Sequence, residues 1–408
     1  MELFTLAKKM TDKLCHPKFL LLRDQLFMER KVLSEWAAGM EDRDGKFVRE
    51  FQETFHSAFW EIIIYRLLIN AGYSLNQTHP MPDFYINEPK IFIEAVTANI
   101  TGEKAEQIKA DIEKYEELHR DVSTEENVSN LRTLAYGNLR SPIDQFEKML
   151  PPYLNMDFHK NLVYSIIRYS SAISSKLNKY NDTYIKKDWV DTNDPFIIAM
   201  ASFDELTYGN EYIYPLIALL YGRIYDPFLN TYYPQDKVQK TESLAIDIGL
   251  FNKPEYEQIS AIMFSCTSTL GKLTANGISN GLPSSNKVFT FHEDLSNCNT
   301  INGMVCPRFI MKEVSNDSPE ELPEGIFVFH NPNAKNPLPP SFLENVCVTH
   351  IYFENGGIVF SGNFVPIVLR YNCVAPLYDG LFPSITELLR LYNRMTVNDF
   401  YEEYIGEQ

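Results

Sequence analysis

Residues 59–73 read FWEIIIYRLLINAGY, and no other run in the chain restricts its fold as tightly. A helix over this run is apolar on nearly every face, and such a helix has to be covered on more than one side. The pattern predicts that it spans about 47–71 and stops at Ala71 and Gly72. It carries one carboxylate, Glu61. A polar, proline-marked loop, NQTHPMPD, follows, and then two short apolar runs, FYI and KIFIEAVTA. These read as strands, with NEPK between them as a hairpin turn. Asp83 stands at the mouth of the first strand and Glu94 lies inside the second. Carboxylates on apolar elements are costly to desolvate unless they are paired. A bound cation is the simplest partner for three of them.

The rest of the chain is expected to build around that stretch. Residues 1–48 read as a helical segment, with apolar residues at helical spacing and charges between them. Residues 101–130 are highly charged at helical spacing and read as a solvated surface insertion. NLVYSIIRYSSAISSKLNKY (161–180) is a helix, DPFIIAMAS a buried central strand, 211–224 a helix and 258–268 a strand. Residues 225–243 read as an aromatic, proline-bearing loop. Beyond 270, Gly, Asn, Ser and Pro punctuate short apolar runs, which predicts a β-rich region over 271–408 closed by a helix at about 384–404. The expected class is α/β: a mixed central sheet flanked by helices over 49–270, with helices before it and β structure after it.

Composition excludes several functions. The longest apolar runs fall short of the roughly 18 residues a membrane helix needs, and the first residues lack a signal-peptide core. The expectation is a cytoplasmic protein with no membrane partner. Six cysteines without a CxxC pair point to reduced thiols rather than zinc. The net charge of −17 opposes nucleic-acid binding over the whole surface. It is unevenly spread, however: residues 131–190 carry nine Lys or Arg against five Asp or Glu. A local basic patch on an acidic body still attracts phosphate.

Hard carboxylate oxygens suit Mg²⁺ or Mn²⁺, ions that bridge to phosphate oxygens and lower the pKa of an attacking water. The pattern of a helix Glu, then Pro82-Asp83, then Glu94 on an apolar strand resembles the PD-(D/E)xK superfamily of phosphodiesterases, with its restriction-endonuclease-like fold. The runs FWE, PDF, IEAVT, DPFIIAM, SAIMFS and HNPNAKNPL are also similar to those of a group of bacterial proteins. The resemblance implies that Glu61, Asp83 and Glu94 are catalytic and bind Mg²⁺ or Mn²⁺. It also implies that a lysine two residues after the strand Glu orients or activates the water. That position here is Val96. Lys176, on the 161–180 helix, is the expected replacement, with Arg168 to meet phosphate. Their spacing of eight leaves them about 80° apart around a helix. Thr97 and Asn99 are an alternative means of holding the water.

The function so implied is metal-dependent hydrolysis of phosphodiester bonds. DNA is favoured over RNA, the setting is bacterial anti-phage defence or mobile-element biology, and a homo-oligomer or protein partner is allowed for. The rival is a nuclease-fold protein that has lost catalysis and serves as a binding or scaffolding module. His56 and His330 are lone histidines, and HNPNAKNPL (330–338) reads as a loop that docks the C-terminal region.

Overall fold

The computed structural model describes residues 1–79, 81–98, 158–202, 212–226, 231–241, 244–301, 304–374, 386–387 and 389–390. Helices α1 (Pro17–Asp24), α2 (Phe27–Trp36) and α3 (Phe47–Glu53) precede α4 (His56–Asn70). The single helix expected over 47–71 is therefore two. The break falls at Phe55, where φ is 50°. Such a backbone costs on the order of 1–3 kcal/mol. It is offset by the packing of the buried Phe55 ring with Phe51, Phe59 and His16.

Strands β1 (Phe84–Ile86) and β2 (Ile91–Ala98) form the predicted hairpin, antiparallel, with Phe84 opposite Ile93. Helix α5 (Phe158–Asp182) leads to β3 (Phe196–Ser202), which lies parallel to β2 with Ile198 beside Glu94. Every residue of β3 is buried, as its unbroken apolar run requires of a central strand. Helix α6 (Tyr214–Tyr221) ends at Gly222 in the left-handed conformation, φ 65°. A Cβ there would come within 3.0 Å of the Gln235 carbonyl oxygen, so both backbone and space demand glycine.

The stretch expected to be loop instead forms two small hairpins. These are β4 (Arg223–Asp226) with β5 (Thr231–Pro234), and β6 (Lys237–Thr241) with β7 (Leu244–Asp247).

The chain continues through β8 (Ala261–Ser265), helix α7 (Leu270–Ser279), the long hairpin β9 (Asn286–Ile301) and β10 (Met304–Glu313), and β11 (Phe327–His330). It then forms β12 (Thr349–Glu354), β13 (Gly357–Gly362) and β14 (Ile367–Val374). Seven strands make one mixed sheet in the order β1-β2-β3-β8-β11-β12-β13, and β10-β9-β14 make a second. The main sheet takes strands from both sides of position 270, so the stretches 49–270 and 271–408 share one sheet. The charged insertion expected over 101–130 lies outside the described residues, as does nearly all of the helix expected at 384–404.

Strand alternation divides the interior in two. Ile91, Ile93, Ile197 and Met263 point to one face and pack with α4, the N-terminal helices and Leu273 of α7. Phe92, Phe196, Ile198 and Phe264 point to the other and pack with α5, α6 and the second sheet. Helix α4 is thus covered on both sides, as its all-round apolar surface requires. Trp60 pins it to the sheet by donating its indole N–H to the Ala199 carbonyl at 2.9 Å. Among the described residues no helix is long and apolar enough to cross a membrane.

Candidate functional site

Glu94 lies in the middle of β2 on the face turned to α5, between Phe92 and Val96 in the alternation of the strand. It is fully buried, at 0% exposure. Its carboxylate is nevertheless satisfied from three directions. Lys176 Nζ donates to Oε1 at 2.7 Å, Lys179 Nζ to the same oxygen at 2.8 Å, and Tyr184 Oη to Oε2 at 2.7 Å. The two lysines are one turn apart on α5, so they reach one point together. Tyr184 comes from the short 3-10 turn Tyr184–Lys186 that follows. Burial pushes the Glu94 pKa up, but the two ammonium groups outweigh it and hold the carboxyl below its ordinary value. Lys176 responds in kind: burial disfavours its charge, yet Glu94 and then Asp83 raise its pKa.

Asp83 stands just before β1, where its Oδ2 accepts the Ala95 N–H at 2.7 Å. That bond places its carboxylate beside the backbone of Glu94's neighbour. The approach to Asp83 is fixed by Arg43, whose guanidinium donates to the carbonyls of His79 at 2.6 Å, Pro82 and Asp83. Asp83 is half-buried. Burial and the Glu94 charge push its pKa up to about 7, against the pull of Lys176. Glu61, on α4, is also partly accessible, and burial raises its pKa well above normal, followed by the charges of Asp83 and Glu94. The three acids therefore sense one another, as the sequence pattern implies. Three carboxylates face two ammonium groups, which leaves one negative charge over when all are ionised. Burial first, and that excess second, raise Glu61 and Asp83.

As donors, hard oxygens are right for Mg²⁺ or Mn²⁺. As arranged, they do not receive one. Both Glu94 oxygens are engaged, and among the described residues no group of three or more His, Cys, Asp or Glu is disposed to hold a metal ion. The positive charge that stands beside Glu94 is that of the chain's own Lys176, joined by Lys179.

Arg168 is not brought to this cluster. It donates to the Ala98 carbonyl at 3.0 Å and to Ser202 Oγ at 2.8 Å, at the far ends of β2 and β3, and it is buried. A spacing of eight keeps two residues on neighbouring helix faces but moves them about 12 Å along the axis. Arg168 therefore stands apart from Lys176 along the helix axis, at the other end of β2 and β3. Thr97 lies on the opposite face of β2 from Glu94 by alternation, and Asn99 is outside the described residues. His56 packs edge-on against His16. His330 pairs with His350, Nε2 to Nδ1 at 2.9 Å.

The 330–338 segment is a clamp, as its Asn-Pro turns suggest. Asn331 donates to the Ile259 carbonyl at 2.8 Å, Asn333 to Phe251 at 2.9 Å and Asn336 to Thr192 at 2.7 Å. Among the described cysteines, Cys15, Cys266, Cys298 and Cys347 form no disulfide; Cys15 and Cys266 are buried and Cys298 is exposed.

Sequence reasoning missed three residues of the cluster. Lys179 had a signal, since it sits three positions after Lys176 on the same face. Tyr184 and Arg43 had none, because both arrive from turns whose path the sequence does not reveal. Compared with protein-family models, curated proteins and solved structures, the chain matches none.

Proposed function

We propose that the acid–lysine cluster is the active site of a phosphodiester hydrolase of the restriction-endonuclease-like kind. It acts on nucleic acid, with DNA favoured over RNA, and uses Mg²⁺ or Mn²⁺ with Glu61, Asp83 and Glu94 as the ligand set. The single observation that carries the proposal is Lys176 at 2.7 Å from Glu94. The lysine that Val96 lacks is supplied from α5, at the carboxylate where it is needed. The chain order gives further support to the fold reading: a helix bearing Glu61, Asp83 at a strand mouth, Glu94 on the paired strand, then a crossover helix and a parallel strand.

The chain's own groups suit the chemistry. Burial and the Glu94 charge raise the Asp83 pKa, an electrostatic state that a bound cation would relieve. Lys176 and Lys179 bring positive charge to where a phosphate would lie. Lys186, in the 3-10 turn that carries Tyr184, is exposed. A cytoplasmic setting, a role in anti-phage defence or mobile-element biology, and a homo-oligomer or partner that adds nucleic-acid affinity belong to the same proposal.

A second reading has one observation in its favour. Glu94 is closed on both oxygens, which suits a binding module that kept the fold and lost the chemistry. The test is cleavage of plasmid, linear duplex, single-stranded DNA and RNA with Mg²⁺ or Mn²⁺. Asp83→Ala is expected to lower the rate by at least about a hundredfold, as loss of a group acting in the transition state does. Equal cleavage by the variant, or none by the wild type on any substrate, would sink the hydrolase.

A further inference from the structure

The seven-stranded sheet has two ends, and the chain closes one of them with its own backbone. At β1, Leu75 bridges Ile86, the Asn76 N–H donates to the Tyr85 carbonyl at 2.8 Å and the Asn87 N–H to that of Ser74 at 3.0 Å. At the other end stands β13, which pairs with β12. Its Gly357, Val359, Ser361 and Gly362 are exposed, Val359 at 42%. Edge strands are ordinarily guarded by charge, proline or a bulge. This one carries none of these guards: residues 355–364 read NGGIVFSGNF, and the pairing with β12 runs without a shift of register.

The hairpin fixes which backbone groups the edge offers. Asn355 and Gly356 both have positive φ, 52° and 81°, in the two-residue turn that makes Glu354 and Gly357 a hydrogen-bonded pair. Alternation then turns the backbone of Val359 and Ser361 toward β12, a parity continued by the Asn363 N–H bond to the Val348 carbonyl at 2.9 Å. Ile358 and Phe360 therefore aim their N–H and C=O groups away from β12, and no hydrogen bond meets them there among the described residues.

That row of groups is its own complement. About a two-fold axis through Val359, Ile358 of one copy faces Phe360 of the other, and Val359 faces Val359. The register allows about four N–H to C=O bonds across the seam. It brings the two exposed Val359 side chains together at the close, non-hydrogen-bonded position. It also sends the two Glu354 carboxylates to opposite ends of an otherwise uncharged seam. We propose that β13 is the surface through which two copies of this chain associate, antiparallel, into one continuous sheet. A seam of six residues is smaller than a standard interface, so the dimer is weak and forms reversibly. β13 lies five strands from β2, roughly 24 Å across the sheet, so the inference stands apart from the hydrolase reading.

The test is sedimentation velocity of the full chain over roughly 1 µM to 1 mM, the range of weak association. A monomer–dimer equilibrium is expected. Each copy carries a charge of −17 and the seam has no ion pair to lose, so raising salt from about 0.05 to 0.5 M should raise the dimer fraction. Val359→Lys and Val359→Glu each set like charges face to face, and each alone should dimerise at least about tenfold more weakly. An equimolar mixture of the two should recover the dimer, because the register sets Lys against Glu. Tyr233→Lys, at an equally exposed apolar position on β5, should associate as wild type does. Circular dichroism checks that each variant folds. In wild type, amide hydrogen exchange at Ile358 and Phe360 should slow several-fold as concentration rises.

A wild type that stays monomeric throughout overturns the proposal. So does a dimer that salt disrupts, that Val359→Lys leaves unchanged, or that forms without slower exchange at Ile358 and Phe360. A mixture of the two folded Val359 variants that remains monomeric overturns it as well.

Discussion

Glu94 shows how one residue is made tolerable where its charge is expensive. A buried carboxylate costs several kcal/mol to desolvate unless its lone pairs are met. Here two lysines and a phenol meet them. Tyr184 is the least replaceable of the three, because it is almost fully buried and its hydroxyl has no path to solvent. Tyr184→Phe keeps the ring and removes one hydrogen bond to a charged group, which is worth about 1.5–3 kcal/mol. Urea unfolding should show a loss of that size with the denaturant slope unchanged. A variant as stable as the wild type would mean that Oε2 is satisfied in another way. Burial, and then the Glu94 charge, push the Tyr184 pKa well above its usual range, which keeps the phenol a donor to Glu94.

At the scale of elements, β11 and β12 are joined by more than their ladder. They run parallel, with Val328 beside His350, and their histidines meet edge to edge while His330 stacks on Tyr352 at 4.2 Å. Burial lowers the His350 pKa to about 4, and burial followed by the His350 charge lowers that of His330 to about 3. The folded state therefore binds these protons less tightly than the unfolded chain. The stabilisation is complete above about pH 6.5, where a free imidazole titrates. It is lost as pH falls from there toward 4, at up to about 1.4 kcal/mol per pH unit for each ring. His350→Asn should be less stable than wild type at pH 7, and its deficit should shrink as pH is lowered to 4.5. Parallel pH profiles of the two proteins would rule out the histidine pair as the source.

Over the whole molecule, the main sheet is continuous across position 270. Strand β8 pairs with β3 on one side and with β11, about 60 residues later, on the other. Arg370 on β14 reinforces the join by donating to the Thr267 carbonyl at 2.6 Å, while its guanidinium and Lys272 on α7 both meet Glu320. A fragment of residues 1–270 would leave unpaired the edge of β8 that β11 covers. Such an edge is an aggregation template. The fragment is expected to be insoluble or to lack a cooperative thermal transition, measured by size-exclusion chromatography and circular dichroism. A monomeric fragment with a sharp transition would show that the sheet is divisible at 270 after all.

Periodicity and apolar runs determine much of this protein by themselves. The hairpin carrying Asp83 and Glu94, the helix over 161–180, the buried strand DPFIIAMAS and the all-round apolar α4 are legible because each is long or strongly patterned, and local pattern survives folding. The acids are legible because a carboxylate inside an apolar run is conspicuous. Lys176 could be named from its side of a helix, yet its distance from Glu94 could not. Tertiary structure alone decided what neutralises the acids, how far Arg168 lies from them, and that the C-terminal strands extend the central sheet. Those outcomes depend on contacts between residues about 50 to 100 positions apart, and no local pattern encodes where such partners meet.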